Sequence, residues 1–326
     1  MKIFRIKSTS PYTTLSLEEL ITSDPEMTGD IFLIYQHNNA VIIGRNQNAY
    51  EEIKRDYIEE NKIELARRIS GGGAVYHDLG NINFSFITDY NKQAGYEKFL
   101  QPIISFLNSL GLNAEFHGRN DILCNGAKIS GNAQFIKGNR IVSHGTLLFD
   151  VDLTKLSNAL NPSKLKLESK GVQSIRQRVT NIAKELNYSM SVEEFIEKLI
   201  EHFVKNGDGE IIEIPYKKYE DKLNQMIEYK KSNEWLYNKN ADFQASNAKK
   251  FPGGILKIKY NVENNKFKEI VFEGDFLSKL DVNEIVGKFD NLEYSKQAVI
   301  DVLNSIRFEE YFGTIQIDEI LELIFG

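Results

Sequence analysis

Three consecutive glycines, Gly71–Gly73, stand between an arginine pair, Arg67-Arg68, and a short β-like run, Ala74-Val75-Tyr76-His77. No other stretch of the chain constrains its backbone as strongly. Glycine allows positive φ and close approach of the backbone to a ligand. Successive free N–H groups in such a turn form an anion-binding concavity. Further on, Lys128 opens a second glycine-containing stretch, KISGNAQF at 128–135. A lysine beside a carboxylate and a phosphate holds both and stabilises charge that develops between them. The combination points to activation of an acid by a nucleotide.

At 326 residues the chain has room for a large and a small domain. A hydrophobic content of 41% and a charged content of 26% are those of an ordinary globular enzyme. The net charge of −6 argues against nucleic-acid binding, which calls for a basic stripe. No basic–apolar–small pattern resembles a signal peptide, and no apolar run is long enough to cross a bilayer. The expected location is therefore the cytoplasm, with no membrane partner. A single cysteine, Cys124, excludes a disulfide framework and a multi-cysteine metal site.

Residues 31–44 read as a hairpin of two apolar runs joined by Gln-His-Asn-Asn, and 74–77 with 82–88 as a second one turning at Asp78–Asn81. Ser85 and Thr88 interrupt an otherwise apolar strand, as expected for one buried on most of its surface. Two more strand–turn–strand units follow, around Asn125-Gly126 and Gly138-Asn139. Apolar spacing predicts helices over 96–110 and 192–204, the latter opened by a Ser191/Glu194 capping box. From about Lys249 the texture changes. Residues 255–262 alternate strictly and pair across Asn264-Asn265 with 270–272, before a short helix capped at Asp281 and another over 295–306. The polar stretch 238–250 is the linker candidate. The fold class expected is α+β, a mixed β-sheet with flanking helices plus a small α+β unit, divided as 1–240, a linker at 241–249, and 250–326.

RRISGGGAVYHDLGN, NDILCNGAKISGNAQ, HGTLLFD and ESKGVQSIRQRVTNI stand in the order and spacing of lipoate–protein ligases. FPGGILKIKYNVENNKFKEIVFEGD resembles that family's accessory domain. The likeness runs from Ile42-Ile43-Gly44-Arg45-Asn46 to the last helices. It implies the catalytic fold shared by biotin and lipoate ligases and a two-step reaction. Lipoate or octanoate attacks the α-phosphate of ATP, giving an acyl-adenylate and pyrophosphate. A carrier lysine then takes the acyl group as an amide and releases AMP. The implied partners are lipoyl carrier domains, those of 2-oxoacid dehydrogenase E2 subunits and the glycine cleavage H protein. The implied cofactor is Mg²⁺, and a monomer is expected.

The resemblance assigns roles residue by residue. Lys128 is the expected catalytic residue, contacting acyl carbonyl and phosphate. Arg68, whose planar fork suits phosphate oxygens, is expected on both ligands with Gly73. Ala74, Val75 and Tyr76 match the nucleotide-contacting run, although an aromatic at 76 serves equally as core. Asn81 and Asp121 match polar positions near the phosphates, with Asp121 the metal carboxylate. Turn preference accounts for both as well. Ser70, Gly71, Gly72, His77 and His144 fall to the lipoate pocket, with hydrogen-bonded structural roles open to the two histidines. Lys170, Arg176 and Arg178 lie on a segment expected to fold over the adenylate and exclude water. The small domain is expected to reorient between the two steps.

Three rivals remain in view. An acyl transferase working through a cysteine thioester would need Cys124 as an exposed thiolate, yet Ile122 and Leu123 place it on a half-buried strand. A non-catalytic binder of lipoyl domains would be expected to have lost Lys128, the glycines or the arginines, and none is missing. A biotin ligase would share the two-step scheme, but its own arginine-bearing glycine loop is absent here, and RRISGGGAVYH fits a lipoate ligase better.

Overall fold

The computed structural model describes residues 1–92, 95–161, 179–206, 209–237 and 243–326. Its strands are β1 (Lys2–Arg5), β2 (Ile31–Gln36), β3 (Ala40–Ile43), β4 (Glu64–Arg67), β5 (Val75–His77), β6 (Asn81–Asp89), β7 (Ala114–His117), β8 (Asp121–Cys124), β9 (Ala127–Lys137), β10 (Arg140–Leu148), β11 (Glu210–Ile211), β12 (Ala245–Phe251), β13 (Gly254–Glu263) and β14 (Lys266–Gly274). They form an eight-stranded sheet, β11-β1-β2-β6-β10-β9-β8-β7, and two three-stranded sheets, β4-β3-β5 and β12-β13-β14. In the large sheet β1 runs parallel to both β11 and β2, and the remaining pairs are antiparallel.

Period-two alternation makes the large sheet two-sided. Phe32, Ile34, Ile82, Phe84, Ile129 and Leu147 face a core closed by the helices Tyr96–Ser109 and Val192–Asn206. Both helices follow their sequence periodicity. The Ser191/Glu194 box is formed, with Glu194 N–H donating to Ser191 Oγ (3.2 Å) and Ser191 N–H to Glu194 Oε2 (2.8 Å). On the opposite face Ile31, Leu33 and Val142 pack against Leu17 and Ile21 of the helix Pro11–Ser23 and against Tyr219 and Leu223 of the helix Tyr216–Lys231.

The first two expected hairpins do not form. β2 and β3 belong to different sheets: β2 pairs with β6, and β3 lies between β4 and β5. Likewise β5 stays in the small sheet while β6 enters the large one. Two apolar runs joined by a polar turn satisfy a local hairpin and a corner between sheets equally well. Here β3 buries both faces, Val41 and Ile43 in one cluster and Ala40 and Ile42 in another, which no exposed hairpin arm would do. Both remaining hairpins of this part are present, with Asn125 at φ 50° and Gly126 at φ 80° in the first turn.

The strand β12 covers much of the stretch assigned to a linker. It pairs with β13 over Ala245–Phe251, while Ser246, Asn247, Ala248 and Lys249 remain exposed. A polar, lysine-bearing edge strand blunts the sheet edge and leaves no apolar alternation to read. The β13–β14 hairpin and the helices Asn283–Val286 and Lys296–Asn304 match expectation and enclose a separate core around Phe272, Phe276 and Phe312.

Gly145 lies mid-strand in β10, where a Cβ would stand 1.8 Å from Asn132 Oδ1 and 2.8 Å from Phe84 Cζ. Gly145→Ala should cost about 1–3 kcal/mol, the usual price of overpacking, seen as a lower urea midpoint with unchanged m-value. A midpoint equal to wild type would show that Asn132 swings aside freely.

Candidate active site

Lys128 sits near the start of β9, where the pairing with β8 shifts register: Ile122 faces Ser130 and Leu123 faces Lys128, leaving Ile129 over. Such a bulge re-aims neighbouring side chains. Lys128 Nζ lies 2.7 Å from Asp121 Oδ1, and each side chain is about one-third exposed (35% and 30%). The ammonium runs across Gly131, where a Cβ would come within 3.1 Å of Nζ. The backbone of Lys128 is engaged too: its carbonyl accepts from Thr180 N–H (3.0 Å), and Val179 bridges to it in parallel. Lys170, Arg176 and Arg178 lie outside the described residues. The flanking chain is tied down at Leu160, which bridges Ile53, and at Val179.

The glycine loop is built around Arg68. Its Nε donates to Ser70 Oγ (3.1 Å), Nη1 to Ile42 O (3.2 Å), and Nη2 to both Gly71 O and Gly73 O (2.8 Å each). Burial lowers its pKa to about 10, so the group remains cationic at neutral pH. Two amides of the loop are taken by the C-terminal unit: Gly71 N–H donates to Ser278 O (3.2 Å) and Gly72 N–H to Phe276 O (3.0 Å). The C-terminal unit therefore rests on the loop. It is held there as well by Asn46 Nδ2 to Ser278 Oγ (2.9 Å) and Gly274 N–H to Asn46 O (2.9 Å).

Between these parts lies a cavity of about 650 Å³. Arg68, Gly72, Gly73, Ala74, Val75, His77, Asp121, Lys128 and His144 line it. Ser70 and Gly71 support the loop without lining the cavity. Asn81 stands behind the lining residue Asn83, donating its Nδ2 to Asn83 Oδ1 (3.1 Å). Tyr76 points the other way, into the small sheet's core, its hydroxyl on Asn39 Oδ1 (2.9 Å). Alternation along β5 gives Val75 and His77 to the cavity and Tyr76 to the core. Asn132 of β9 also lines the cavity. Sequence reading missed Asn83 and Thr146, although alternate polar positions on β6 and β10 signal a polar sheet face. It also missed Phe251, Pro252, Gly254 and Asp275, by which the C-terminal unit closes the cavity. No group of three or more His, Cys, Asp or Glu able to hold a metal ion occurs among the described residues.

The family description "Lipoyl protein ligase A/B catalytic domain" matches residues 10–204, and "Bacterial lipoate protein ligase C-terminus" matches 240–324. The chain belongs to the lipoate–protein ligase family. It is 39% identical over 322 residues to lipoate-protein ligase LplJ of Bacillus subtilis (strain 168), covering 97% of each chain. Its fold superposes on a crystal structure of P. falciparum LipL1 in complex with lipoate with a TM-score of 0.83, at 24% identity and 99% coverage of both chains. A lipoate-protein ligase A bound with ATP matches at TM-score 0.62 and 28% identity, over 72% of this chain and 98% of that one. The mixed sheet with flanking helices and the separate C-terminal unit are thus those of this ligase family.

In this ligase fold the histidines form ordered networks. Thr14 Oγ1 donates to Pro11 O (3.2 Å) and accepts from His37 Nε2 (2.7 Å). His37 Nδ1 then accepts from His77 Nδ1 (2.9 Å), leaving His77 Nε2 as an acceptor. Burial pushes His37 down to about 3, opposed weakly by Glu18. Burial, then His37, Arg68 and His144, hold His77 well below its ordinary value. Cys124 is fully buried in the main core, and burial pushes its thiol pKa up. No helix among the described residues is long and apolar enough to cross a membrane.

Both imidazoles are neutral when folded and titrate near pH 6.5 when unfolded. Below about pH 6.5 the unfolded chain binds more protons, so stability falls with pH, by up to about 1.4 kcal/mol per pH unit for each histidine. Glu18, held below its ordinary value, adds a loss of the same sign at lower pH. In urea titrations from pH 7 to 4.5, His37→Gln should flatten this dependence; an unchanged slope would show that His37 is already charged.

Proposed function

We propose that the chain runs both half-reactions of an ATP-dependent lipoate–protein ligase, and that residues 1–240 are the catalytic unit and 250–326 the accessory one. One observation carries the reading: the Lys128 ammonium faces a cavity walled by the Arg68-held glycine loop. The cavity's lining runs from β2 to β8, four strand spacings or about 19 Å. Leu15, Tyr35 and Ile42 provide its apolar end, and Asp121, Lys128 and Arg119 its charged end. An acyl chain suits the first and a nucleotide phosphate the second.

A carboxylate oxygen attacks the α-phosphorus, and the bond to the β-phosphate oxygen breaks to release pyrophosphate. Lys128 offsets the negative charge gathering on the transferred phosphate and on the acyl oxygen. It leaves Asp121 to do so, which frees that carboxylate. Asp121 is a fitting protein ligand for Mg²⁺, which takes one or two carboxylates and fills its shell with phosphate oxygens and water. The ion would neutralise phosphate charge. In the second step the uncharged ε-amine of a carrier lysine attacks the acyl carbon, AMP departs, and the amine loses a proton to solvent. The Gly71 and Gly72 amides reach the nucleotide once segment 276–278 releases them, which calls for movement of the accessory unit. Carrier domains of 2-oxoacid dehydrogenase E2 subunits and the glycine cleavage H protein are the proposed acceptors, with lipoate or octanoate as acid. A cytoplasmic monomer completes the proposal.

Pyrophosphate release from ATP, Mg²⁺ and lipoate, without carrier protein, tests this. Lys128→Ala should lower it about a hundredfold or more, the typical cost of losing one charge-stabilising group, and Cys124→Ser should leave it unchanged. Release absent from wild type, with acyl transfer from a supplied thioester lost in Cys124→Ser, would make the protein a transferase.

A further inference from the structure

The hydrogen-bond chain that begins at Arg68 runs beyond the glycine loop. Arginine carries donors only, so Ser70 Oγ accepts from Arg68 Nε. A carboxylate only accepts, so His144 carries a proton on Nδ1 facing Glu18, and Nε2, 2.6 Å from Ser70 Oγ, is placed to take the Ser70 hydroxyl proton. Nδ1–H donates to Glu18, at 3.0 Å from Oε1 and 3.2 Å from Oε2. Ser85 Oγ and Tyr35 Oη also donate to Glu18 Oε1. Glu18 is 1% exposed and Arg68 9%. A buried carboxylate and a buried guanidinium are thereby joined through His144 and Ser70.

Serine, histidine and glutamate in this order have the distances of an activated nucleophile. Ser70 nevertheless has no exposed surface, does not line the cavity, and has its oxygen occupied by Arg68. We propose that Glu18, His144 and Ser70 are positioning residues: a one-way donor relay that fixes Arg68, and through it the Gly71 and Gly73 carbonyls, for acid activation. The relay supplies the counter-charge that a buried guanidinium needs. It also fixes Nε, the corner of the guanidinium that sets the direction of the other two nitrogens.

This inference rests on the ligase reading, and two measurements separate them. In the first, pyrophosphate release and thermal unfolding are followed for wild type, Ser70→Ala, His144→Leu and His144→Gln. A Gln amide accepts from Ser70 and donates to Glu18, whereas Leu only fills space. Ser70→Ala and His144→Leu should lose about a hundredfold in kcat/KM for lipoate, as expected when a binding group shifts by an ångström, with KM for ATP nearly unchanged. His144→Gln should recover most of that loss. Equal rates for Gln and Leu, wild-type rates for Ser70→Ala, or an acyl adduct on Ser70 in the mass spectrum would each overturn the relay. The second measurement is independent of activity and of variant folding: ¹⁵N NMR of wild-type histidines should show His144 protonated at Nδ1. A proton on Nε2 alone would reverse the donor direction and overturn the proposal, even in an active ligase.

Discussion

Two guanidinium groups, those of Arg67 and Arg68, are buried side by side at the junction of all the parts, and their hydrogen-bonding demands organise what surrounds them. A buried cation without partners is prohibitively costly, and here backbone carbonyls answer nearly every donor. Arg67 Nη1 reaches Gly44 O (3.0 Å), Arg45 O (2.8 Å) and Gln47 O (2.6 Å), while Nε and Nη2 reach Trp235 O (2.9 Å) and Leu236 O (2.5 Å). One side chain thus ties the loop after β3 to the short helix Asn233–Tyr237. Arg68 does the same for the glycine loop. The loop's shape follows from these bonds. Glycine is needed where the chain is most crowded: a Cβ on Gly44 would stand 2.0 Å from Gly72 O.

This arrangement sets the chemistry. Arg68 is committed to carbonyls of its own loop, whereas the Lys128 ammonium in the cavity is one-third exposed and, among the described residues, ion-paired with Asp121. The two positive groups differ in setting: one is fixed by loop carbonyls, the other lies in the cavity against a partly exposed carboxylate. The polar face of the central sheet supplies the rest of the cavity wall, while its other face remains apolar against two helices.

Much of this is legible in the residues themselves. The helices over 96–110 and 192–204 follow from spacing, and Asn125-Gly126 gives the turn that places Lys128. The loop after β2 was not legible, because a polar turn between two apolar runs does not say whether they pair or part. β12 was hidden by its polar, exposed edge. Tyr76 and Val75 are adjacent in sequence, and only the face each takes on β5 assigns one to the core and the other to the cavity. Glu18 is the deepest omission. A glutamate on a helix reads as solvated, and nothing local reveals that a histidine from β10, far on in sequence, reaches it.

The sequence by itself determined the ingredients: a triple-glycine turn beside two arginines, a lysine in a tight hairpin, and two units with separate apolar patterns. Those are local consequences of backbone freedom and side-chain periodicity. Tertiary structure alone decided how they meet. Burial left the guanidinium groups no solvent, so they had to find carbonyls distant in sequence. The segment after β14 in the C-terminal unit then closed over the glycine loop, taking the Gly71 and Gly72 amides that the sequence offered to an anion. Long-range satisfaction of buried polar groups carries no sequence period, and it is what joins these local pieces into a site.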